Sequence, residues 1–373
     1  MPSITFHNLG NADSYRIDLD NGKKLLFDYA DMRCATDPND KRCDLPEELR
    51  KDLKKAKRDD FDVVAFTHFD EDHVWGASTF FELRHAAKYQ GDGRIKITEL
   101  WVPAWAITES RADLCDDGKA LQAEARYRLR QGTGIRVFSR PAALKNWLES
   151  QGLTVDQRAH LISDAGTCVP GFTKASDGVE FFVHSPFASR QDDETLVDRN
   201  SNSLVFQAVF SVDGRESKAL LMADTEYSCM QEIVNITKYH RRNERLEWDI
   251  VKLPHHCSYG SLGPDKGKDE TTPVEEVKWL YESQGRYRAR IVSTSKPIPS
   301  NDDDIQPPHR QAANYYKRIL GDKSGKFLVT MEHPSTSAPE PLVIEIDGFG
   351  FSIRQTASAT GVSALTRPAP RAG

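Results

Sequence analysis

The chain has 373 residues, of which 38% are hydrophobic and 28% charged, and its formal net charge is -6 at pH 7. This composition is typical of a globular protein with one large or two ordinary domains. A mildly negative molecule is not a polycation, so any contact with nucleic acid must come from a local basic patch. No apolar run approaches the roughly 20 residues of a membrane helix, and the N-terminus lacks the basic and apolar segments of a secretory signal. The six cysteines form no CxxC pair, which indicates free thiols. Together these features predict a cytoplasmic protein that does not enter a membrane.

The first part of the chain predicts short strands followed by one charged helix. Strands are expected at residues 3–8, 14–19 and 23–29, a helix at 46–57 and a buried apolar strand, FDVVAF, at 61–66. Another strand is expected at 97–103. From about residue 105 to residue 165 the pattern becomes helical, and this block is interpreted as an insertion into the domain.

Strands and helices then alternate to the end of the ordered pattern. Strands are predicted at VEFFVHSP, NSLVFQAVFSV, KALLMAD, DIVKLP, RARIVSTS, KFLVTM and PLVIEID, with helices between most of them. Mixed strands that alternate with helices indicate an α/β sandwich, in which helices cover two sheets. The last stretch, residues 356–373, is small, polar and proline-containing, and is predicted to be a disordered tail.

The most informative segment is THFDEDHVWG, residues 67–76, directly after the FDVVAF strand. His68, Asp70, Asp72 and His73 lie within six positions, and all four side chains can bind a metal. Groups this crowded repel one another or stay poorly solvated unless a cation joins them. A polar loop that merely contains two histidines is the alternative, but such tight spacing is uncommon in solvated loops.

Further metal-capable side chains follow other predicted strands. His184 follows VEFFV, Asp224 follows KALLMA, and His255 and His256 follow DIVKLP. Strand ends on one edge of a sheet converge, so a shared binuclear site is the simplest account. Taken alone, His184 could equally be a structural histidine, and Asp224 could cap a helix.

These motifs resemble the metallo-β-lactamase fold. The closest match within it is the ComEC-type branch, whose soluble domain is implicated in DNA uptake. The matching segments are THFDEDHVWG (67–76), NSNSLVF (200–206), LLMAD (220–224), PHHCS (254–258) and PPHRQAA (307–313). Their order agrees from about residue 3 to residue 347. The resemblance therefore implies one metallo-β-lactamase-like domain over residues 1–355, built as an αββα sandwich of two mixed β-sheets flanked by helices.

The resemblance also implies a role for each ligand. His68 and Asp70 would hold the first of two divalent ions, Zn²⁺ or Mn²⁺. Asp72, His73 and His256 would hold the second, and Asp224 would bridge both. His184 is the candidate for the remaining histidine at the first ion. The predicted catalytic residues are Asp72, His255 and His309, the two histidines as phosphate contacts or proton donors.

The sequence departs from the family pattern at three positions. Aspartate replaces the usual histidine at Asp70, which should favour manganese over zinc. Ala223 stands before Asp224 where glycine is usual, and Cys257 replaces the glycine of PHHGS. Cys257 could be a small buried filler or a redox-sensitive neighbour of the metals.

The implied activity is hydrolysis by a hydroxide that bridges two metal ions, most simply on a phosphodiester, as in a nuclease. Two basic blocks, RYRLR at 126–130 with Arg136 and Arg140, and a second around 239–245, could bind a nucleic-acid backbone. They could equally be solvated helix faces with acidic partners. A small-molecule hydrolase acting on a lactone, thioester or cyclic nucleotide remains open, as does a non-catalytic component of a defence or DNA-handling complex. Protein partners are not predicted.

Overall fold

The computed structural model describes residues 1–91, 93–109, 113–193 and 198–354. The predicted tail, 356–373, lies outside these ranges. Among the described residues the strands are β1 Ser3–Phe6, β2 Tyr15–Asp18, β3 Lys24–Phe27, β4 Asp60–Ala65, β5 Lys96–Pro103, β6 Ile135–Phe138, β7 Ile162–Ser163, β8 Val179–Ser185, β9 Val205–Val212, β10 Arg215–Met222, β11 Trp248–Lys252, β12 Gly285–Ser293, β13 Lys326–Val329, β14 Leu342–Asp347 and β15 Gly350–Ile353.

The helices of the same residues are α1 Leu45–Lys55, α2 Glu71–Val74, α3 Ala77–Phe80, α4 Trp105–Thr108, α5 Asp116–Gln131, α6 Ala142–Ser150, α7 Val155–Arg158, α8 Lys174–Asp177, α9 Ala188–Asp193, α10 Tyr227–Tyr239, α11 Glu275–Ser283 and α12 Arg310–Asp322. In the described part of the chain, none of them combines the length and the apolar character that a membrane span requires.

Two mixed sheets form the centre of the molecule. The larger sheet has the strand order β15-β14-β1-β2-β3-β4-β5-β6-β7, and the smaller one β13-β12-β11-β10-β9-β8. The larger sheet is antiparallel from β15 to β3 and parallel from β3 to β7, and the smaller changes from antiparallel to parallel at β10. Parallel pairing needs a crossover after each strand, and the helices supply it.

A dense aromatic core joins the two sheets. Phe27 of β3 lies 6.3 Å from Phe181 of β8 and 6.1 Å from Phe206 of β9, measured between ring centroids. Two further apolar clusters lie on the outer faces, one beneath α1 and α5 and the other beneath α10, α11 and α12. The layers therefore run helix, sheet, sheet, helix. The predicted αββα sandwich is confirmed.

One part of the sequence interpretation needs correction. The block from 105 to 165 does contain helices, α4 to α7, but it also contributes β6 and β7 to the larger sheet. Ile135 and Val137 are fully buried there. The block therefore extends the sheet rather than standing outside it as a purely helical insertion. These two strands were missed because they lie between helices, where a short apolar run does not distinguish a strand from a buried helix segment.

Candidate metal centre

The THFDEDHVWG segment is fixed by contacts to the first strands of the larger sheet. The backbone N–H and the hydroxyl of Thr67 each donate to the Asp28 carboxylate over 2.7 Å. The carbonyls of Asp72 and His73 accept from the backbone N–H groups of Asp13 and Tyr29, both over 2.9 Å. These bonds hold the loop after β4 rigidly, which is a condition for a preorganised site.

Four predicted ligands meet at one point. Single ligand atoms of Asp72, His73, Asp224 and His256 all lie within 4.8 Å of one another. His73 Nε2 is 3.3 Å from Asp224 Oδ1, and His256 Nε2 is 3.1 Å from Asp72 Oδ2. His256 Nε2 is also 3.7 Å from Asp224 Oδ2. Residues from the loops after β4, β10 and β11 thus converge as the strand-end pattern predicted.

Both histidines of this cluster are oriented by a hydrogen bond from Nδ1, on the side of the ring that faces away from the other ligands. His73 Nδ1 donates to Asp28 Oδ2 over 2.9 Å, and His256 Nδ1 donates to the Thr294 carbonyl over 2.7 Å. A proton on Nδ1 leaves Nε2 as the basic nitrogen, and Nε2 is the atom that points into the cluster. This arrangement of a histidine and an outer acceptor is the usual support of a metal ligand.

The electrostatics of the cluster show strong mutual attraction. Burial opposes the charged form of His256, but the carboxylates of Asp224 and Asp72 outweigh it and raise the pKa of the imidazole to about 9. Burial likewise opposes ionisation of Asp224, yet the neighbouring His73 and His256 hold the pKa of its carboxyl well below the usual range. The buried carboxylate of Asp224, the partly exposed carboxylate of Asp72 and two buried imidazoles form a donor set that suits Mn²⁺ or Zn²⁺. The residues present therefore fit one such ion.

The residues predicted for the first ion are arranged differently. His68 is fully buried, and its Nε2 has no hydrogen-bond partner among the described residues. Asp70 Oδ2 lies 3.9 Å from that nitrogen, but Asp70 Oδ1 is 3.0 Å from the guanidinium Nε of Arg199. The first set is therefore only partly assembled, with its carboxylate held by an arginine.

The structure does not bring His184 into the cluster, so its prediction as a ligand is wrong on this geometry. His184 Nε2 is 2.8 Å from the backbone carbonyl of Arg245. The side chain lines a cavity of about 250 Å³ together with Phe187, Ile233 and His240. Burial lowers the pKa of its imidazole to about 4. Val183 packs between the sheets, whereas His184, at an irregularity in the β8–β9 pairing, faces the outer cavity beside α10.

The two predicted proton donors differ from each other. His255 is partly exposed, and its Nε2 lies 4.0 Å from Asp224 Oδ2, so it borders the cluster. His309 Nδ1 accepts from the backbone N–H of Tyr259 over 3.3 Å, while its Nε2 lies 3.2 Å from the Ile305 carbonyl. With both ring nitrogens engaged by backbone, His309 anchors the start of α12, and the structure does not support its role as a proton donor.

Sequence reasoning gave no site role to Asp28, Asp13, Lys252 or Arg199. Asp13 is fully buried, forms an ion pair with Lys252 and lies 3.9 Å from His73 Nε2. Asp28 follows β3, so the strand-end pattern that identified Asp224 could have identified it. No such indication exists in the sequence for Asp13 and Lys252, because each has its role only as the ion-pair partner of the other.

Four of the eight arginines in the two basic blocks pair with carboxylates of the protein. Arg128 is buried against Glu124 over 2.6 Å, and Arg140 pairs with Asp164. Arg136 lies 3.3 Å from Glu99, and Arg245 lies 2.6 Å from Glu180. These ion pairs hold the arginines within the fold. Arg128 is buried and Arg136 lies on strand β6, so the two residues do not form the solvated helix faces that the sequence led us to expect.

Several solved structures are similar to this chain. A diphosphatase of the PhnP family is 11% identical, with 93% of this chain and 98% of that chain covered and a TM-score of 0.37. Unliganded yeast PDE1 is 9% identical, with 88% and 98% covered and a TM-score of 0.41. LRA-12, a class B3 di-zinc metallo-β-lactamase from an Alaskan soil metagenome, is 10% identical, with 86% and 91% covered and a TM-score of 0.30.

No family model and no curated protein matches the sequence. At these identities and TM-scores, the similar structures say nothing about the substrate, the metal or the activity of this chain.

Proposed function

We propose that this chain is a metal-dependent hydrolase that cleaves phosphodiesters. The observation that carries the proposal is the meeting of Asp72, His73, Asp224 and His256, whose ligand atoms lie within 4.8 Å of one another. Three segments far apart in sequence supply these residues, and backbone and carboxylate contacts orient both imidazoles. A purely structural polar cluster would not need Nε2 of two histidines and two carboxylates to face the same point.

A divalent cation, when bound there, supplies an activated water and a positive charge for the oxygens of the attacked group. Asp28 and the Thr294 carbonyl keep the protons of His73 and His256 on Nδ1, away from the ligand atoms. His255 is the side chain suited to pass a proton from Nε2 to a leaving oxygen, because it is partly exposed beside Asp224. Asp72 and His255 therefore lie on the open side of the site.

The anionic non-bridging oxygens of a phosphodiester suit such a centre better than a neutral carbonyl does. Within this class, a small substrate such as a cyclic nucleotide is the second candidate beside nucleic acid. It is favoured by the internal pairing of Arg128, Arg136, Arg140 and Arg245, because half of the eight arginines of the basic blocks are thereby held by carboxylates of the protein itself. Membership of the ComEC-type branch, contact with nucleic acid and a cytoplasmic location stay predictions.

The test compares three substrate classes with one protein preparation. Protein stripped by chelation and reloaded with Mn²⁺ or Zn²⁺ is offered bis-p-nitrophenyl phosphate, single-stranded DNA and a panel of lactones. We expect phosphodiester turnover that chelation abolishes and that Asp72→Ala lowers by at least about a hundredfold. Asp59→Ala is the matched control, because Asp59 is an exposed partner of Lys96.

If neither metal supports cleavage of any phosphodiester, the proposal fails. Turnover of lactones alone would assign the site to carbonyl hydrolysis. Cleavage of bis-p-nitrophenyl phosphate without cleavage of DNA would favour the small-molecule candidate.

A further inference from the structure

The two ligand sets implied by the sequence are unequal in this structure. The set of Asp72, His73, Asp224 and His256 is complete, with all its ligand atoms within 4.8 Å. The other set loses His184 to the Arg245 carbonyl. What remains is His68, whose Nε2 has no hydrogen-bond partner within the described part of the chain, and Asp70, whose carboxylate faces an arginine.

Arg199 is well placed to exclude a second cation. Its Nε lies 3.0 Å from Asp70 Oδ1, and its Nη2 lies 3.1 Å from Asp113 Oδ2. The side chain is 18% exposed, so the pair is only partly screened by solvent. A guanidinium stays charged at any accessible pH. A divalent ion bound between His68 and Asp70 would therefore meet a fixed positive charge on the same carboxylate, and would also have to break the ion pair.

We propose that the centre binds one divalent cation tightly, and that Arg199 supplies the positive charge where a second cation would otherwise bind. The inference rests on the metal centre of the proposed function, but it concerns the number of ions and not the reaction. It departs from the expectation of a binuclear site with two divalent ions. In this proposal Arg199, and not any of the ligands, determines whether one or two cations bind.

The direct test counts bound metal. Chelator-stripped protein is dialysed against buffered Mn²⁺, and separately Zn²⁺, and the metal per chain is measured. We expect a single tight equivalent in the native protein. In Arg199→Gln we expect a second equivalent with an affinity raised at least about tenfold. Arg199→Lys keeps the charge and should bind like the native protein. Arg140→Gln removes an exposed arginine paired with Asp164 and should also leave the count unchanged.

The outcomes separate this inference from the proposed function. Two equally tight equivalents in the native protein would overturn the inference while leaving a hydrolase intact. An unchanged count in Arg199→Gln would also overturn it. No tight equivalent at all would overturn both. Should Arg199→Gln fail to fold, electron paramagnetic resonance of the native Mn²⁺-loaded protein still decides, because isolated ions support the inference and spin-coupled pairs contradict it.

Discussion

The carboxylate of Asp28 lies behind His73, where it accepts from Nδ1 over 2.9 Å and from both donors of Thr67. In Asp28→Asn one carboxylate oxygen becomes an NH₂ group, which cannot accept the Nδ1 proton. His73 would then carry its proton on Nε2, the atom that faces the metal ligands. We predict a loss of metal affinity of about 10- to 100-fold, measured by titration with Mn²⁺ against a competing chelator.

The backbone should tolerate this change, because Asp28 has a positive φ of 55° and asparagine adopts that region readily. Asp62→Asn is the matched control. Its carboxylate accepts from the backbone N–H of Lys24 over 2.7 Å without touching a histidine. Equal metal affinity in Asp28→Asn and Asp62→Asn would show that Asp28 does not set the tautomer of His73.

The buried side chain of His7 should make the free energy of unfolding sensitive to acid. It is 1% exposed, both ring nitrogens lack a hydrogen-bond partner among the described residues, and burial with the nearby Arg16 lowers its pKa to about 3. Below pH 6.5 the unfolded chain binds a proton at His7 that the folded chain does not, so stability falls as the pH drops towards 3. By pH 4 the loss amounts to roughly 3 kcal/mol from this group.

Urea unfolding between pH 7 and pH 4 checks this prediction. His7→Phe should flatten the fall in unfolding free energy, while exposed His160→Gln should not. An equally steep fall in His7→Phe would assign the acid sensitivity to other groups, such as His184.

The candidate ligands that could be identified from the sequence share one property. Each is a histidine or an aspartate in the segment that follows a predicted strand. Asp72, His73, Asp224 and His256 all met this condition. His184 did as well, yet it lies at an irregularity in the β8–β9 pairing and faces the outer cavity beside α10. Arg199 and Lys252 could not be identified, because an ion pair between distant residues leaves no local pattern.

At the scale of an element, the PHHCS turn is the most unusual piece of backbone. His255, His256 and Cys257 have φ values of 46°, 51° and 68°, a left-handed run without glycine. The His256 Nδ1 bond to Thr294 and the bond from His309 N–H to the Cys257 carbonyl, 3.1 Å long, hold it. Cys257 is fully buried, and burial raises the pKa of its thiol far above the ordinary value. This favours the interpretation of Cys257 as an inert filler.

Substitutions at Cys257 should reveal the strain in this turn. Glycine relieves the left-handed cost but loses thiol packing, so we expect Cys257→Gly to stay within about 1 kcal/mol of the native unfolding free energy. Cys257→Val places a branched side chain at positive φ and should cost about 3 kcal/mol or more. Cys229→Val, a buried cysteine within helix α10, is the control. Comparable losses for the two valine variants would mean that packing, not backbone conformation, determines the effect.

Element prediction succeeded for most strands and helices, including the four-residue strands β1 to β3, and failed for β6, β7 and β15. The continuous apolar runs of β4 and β10 and the helical composition of the 16-residue α5 indicated these elements. The two residues of β7 and the four of β6 form strands only because β5 offers them a parallel edge, which is tertiary information. The same holds for β15, which pairs with β14.

At the scale of the whole molecule, the four candidate ligands come from both sheets of the sandwich. Asp72 and His73 follow β4 of the larger sheet, whereas Asp224 and His256 follow β10 and β11 of the smaller one. Without a cation, the charges where the two sheets meet are balanced only by contacts between the described side chains, such as that between His73 and Asp224. A bound ion would link both sheets at once. The two-sheet architecture could be inferred in outline from the order of the predicted strands. That the ligands of one site come from both sheets could be established only from the three-dimensional structure.

Metal removal should therefore destabilise the entire fold and not just the site. A ligand that binds only the folded state adds about 2.7 kcal/mol at a hundred times its dissociation constant, which for a chain of this size raises the melting temperature by a few degrees. We expect Mn²⁺ or Zn²⁺ to raise the single melting transition of the chelator-treated protein. His256→Gln should abolish the metal-dependent increase, because it removes a ligand of the smaller sheet, while His160→Gln should retain it. A metal-induced increase that persists in His256→Gln would place the stabilising ion elsewhere in the molecule, and a transition that splits in two on chelation would show that the sheets unfold independently.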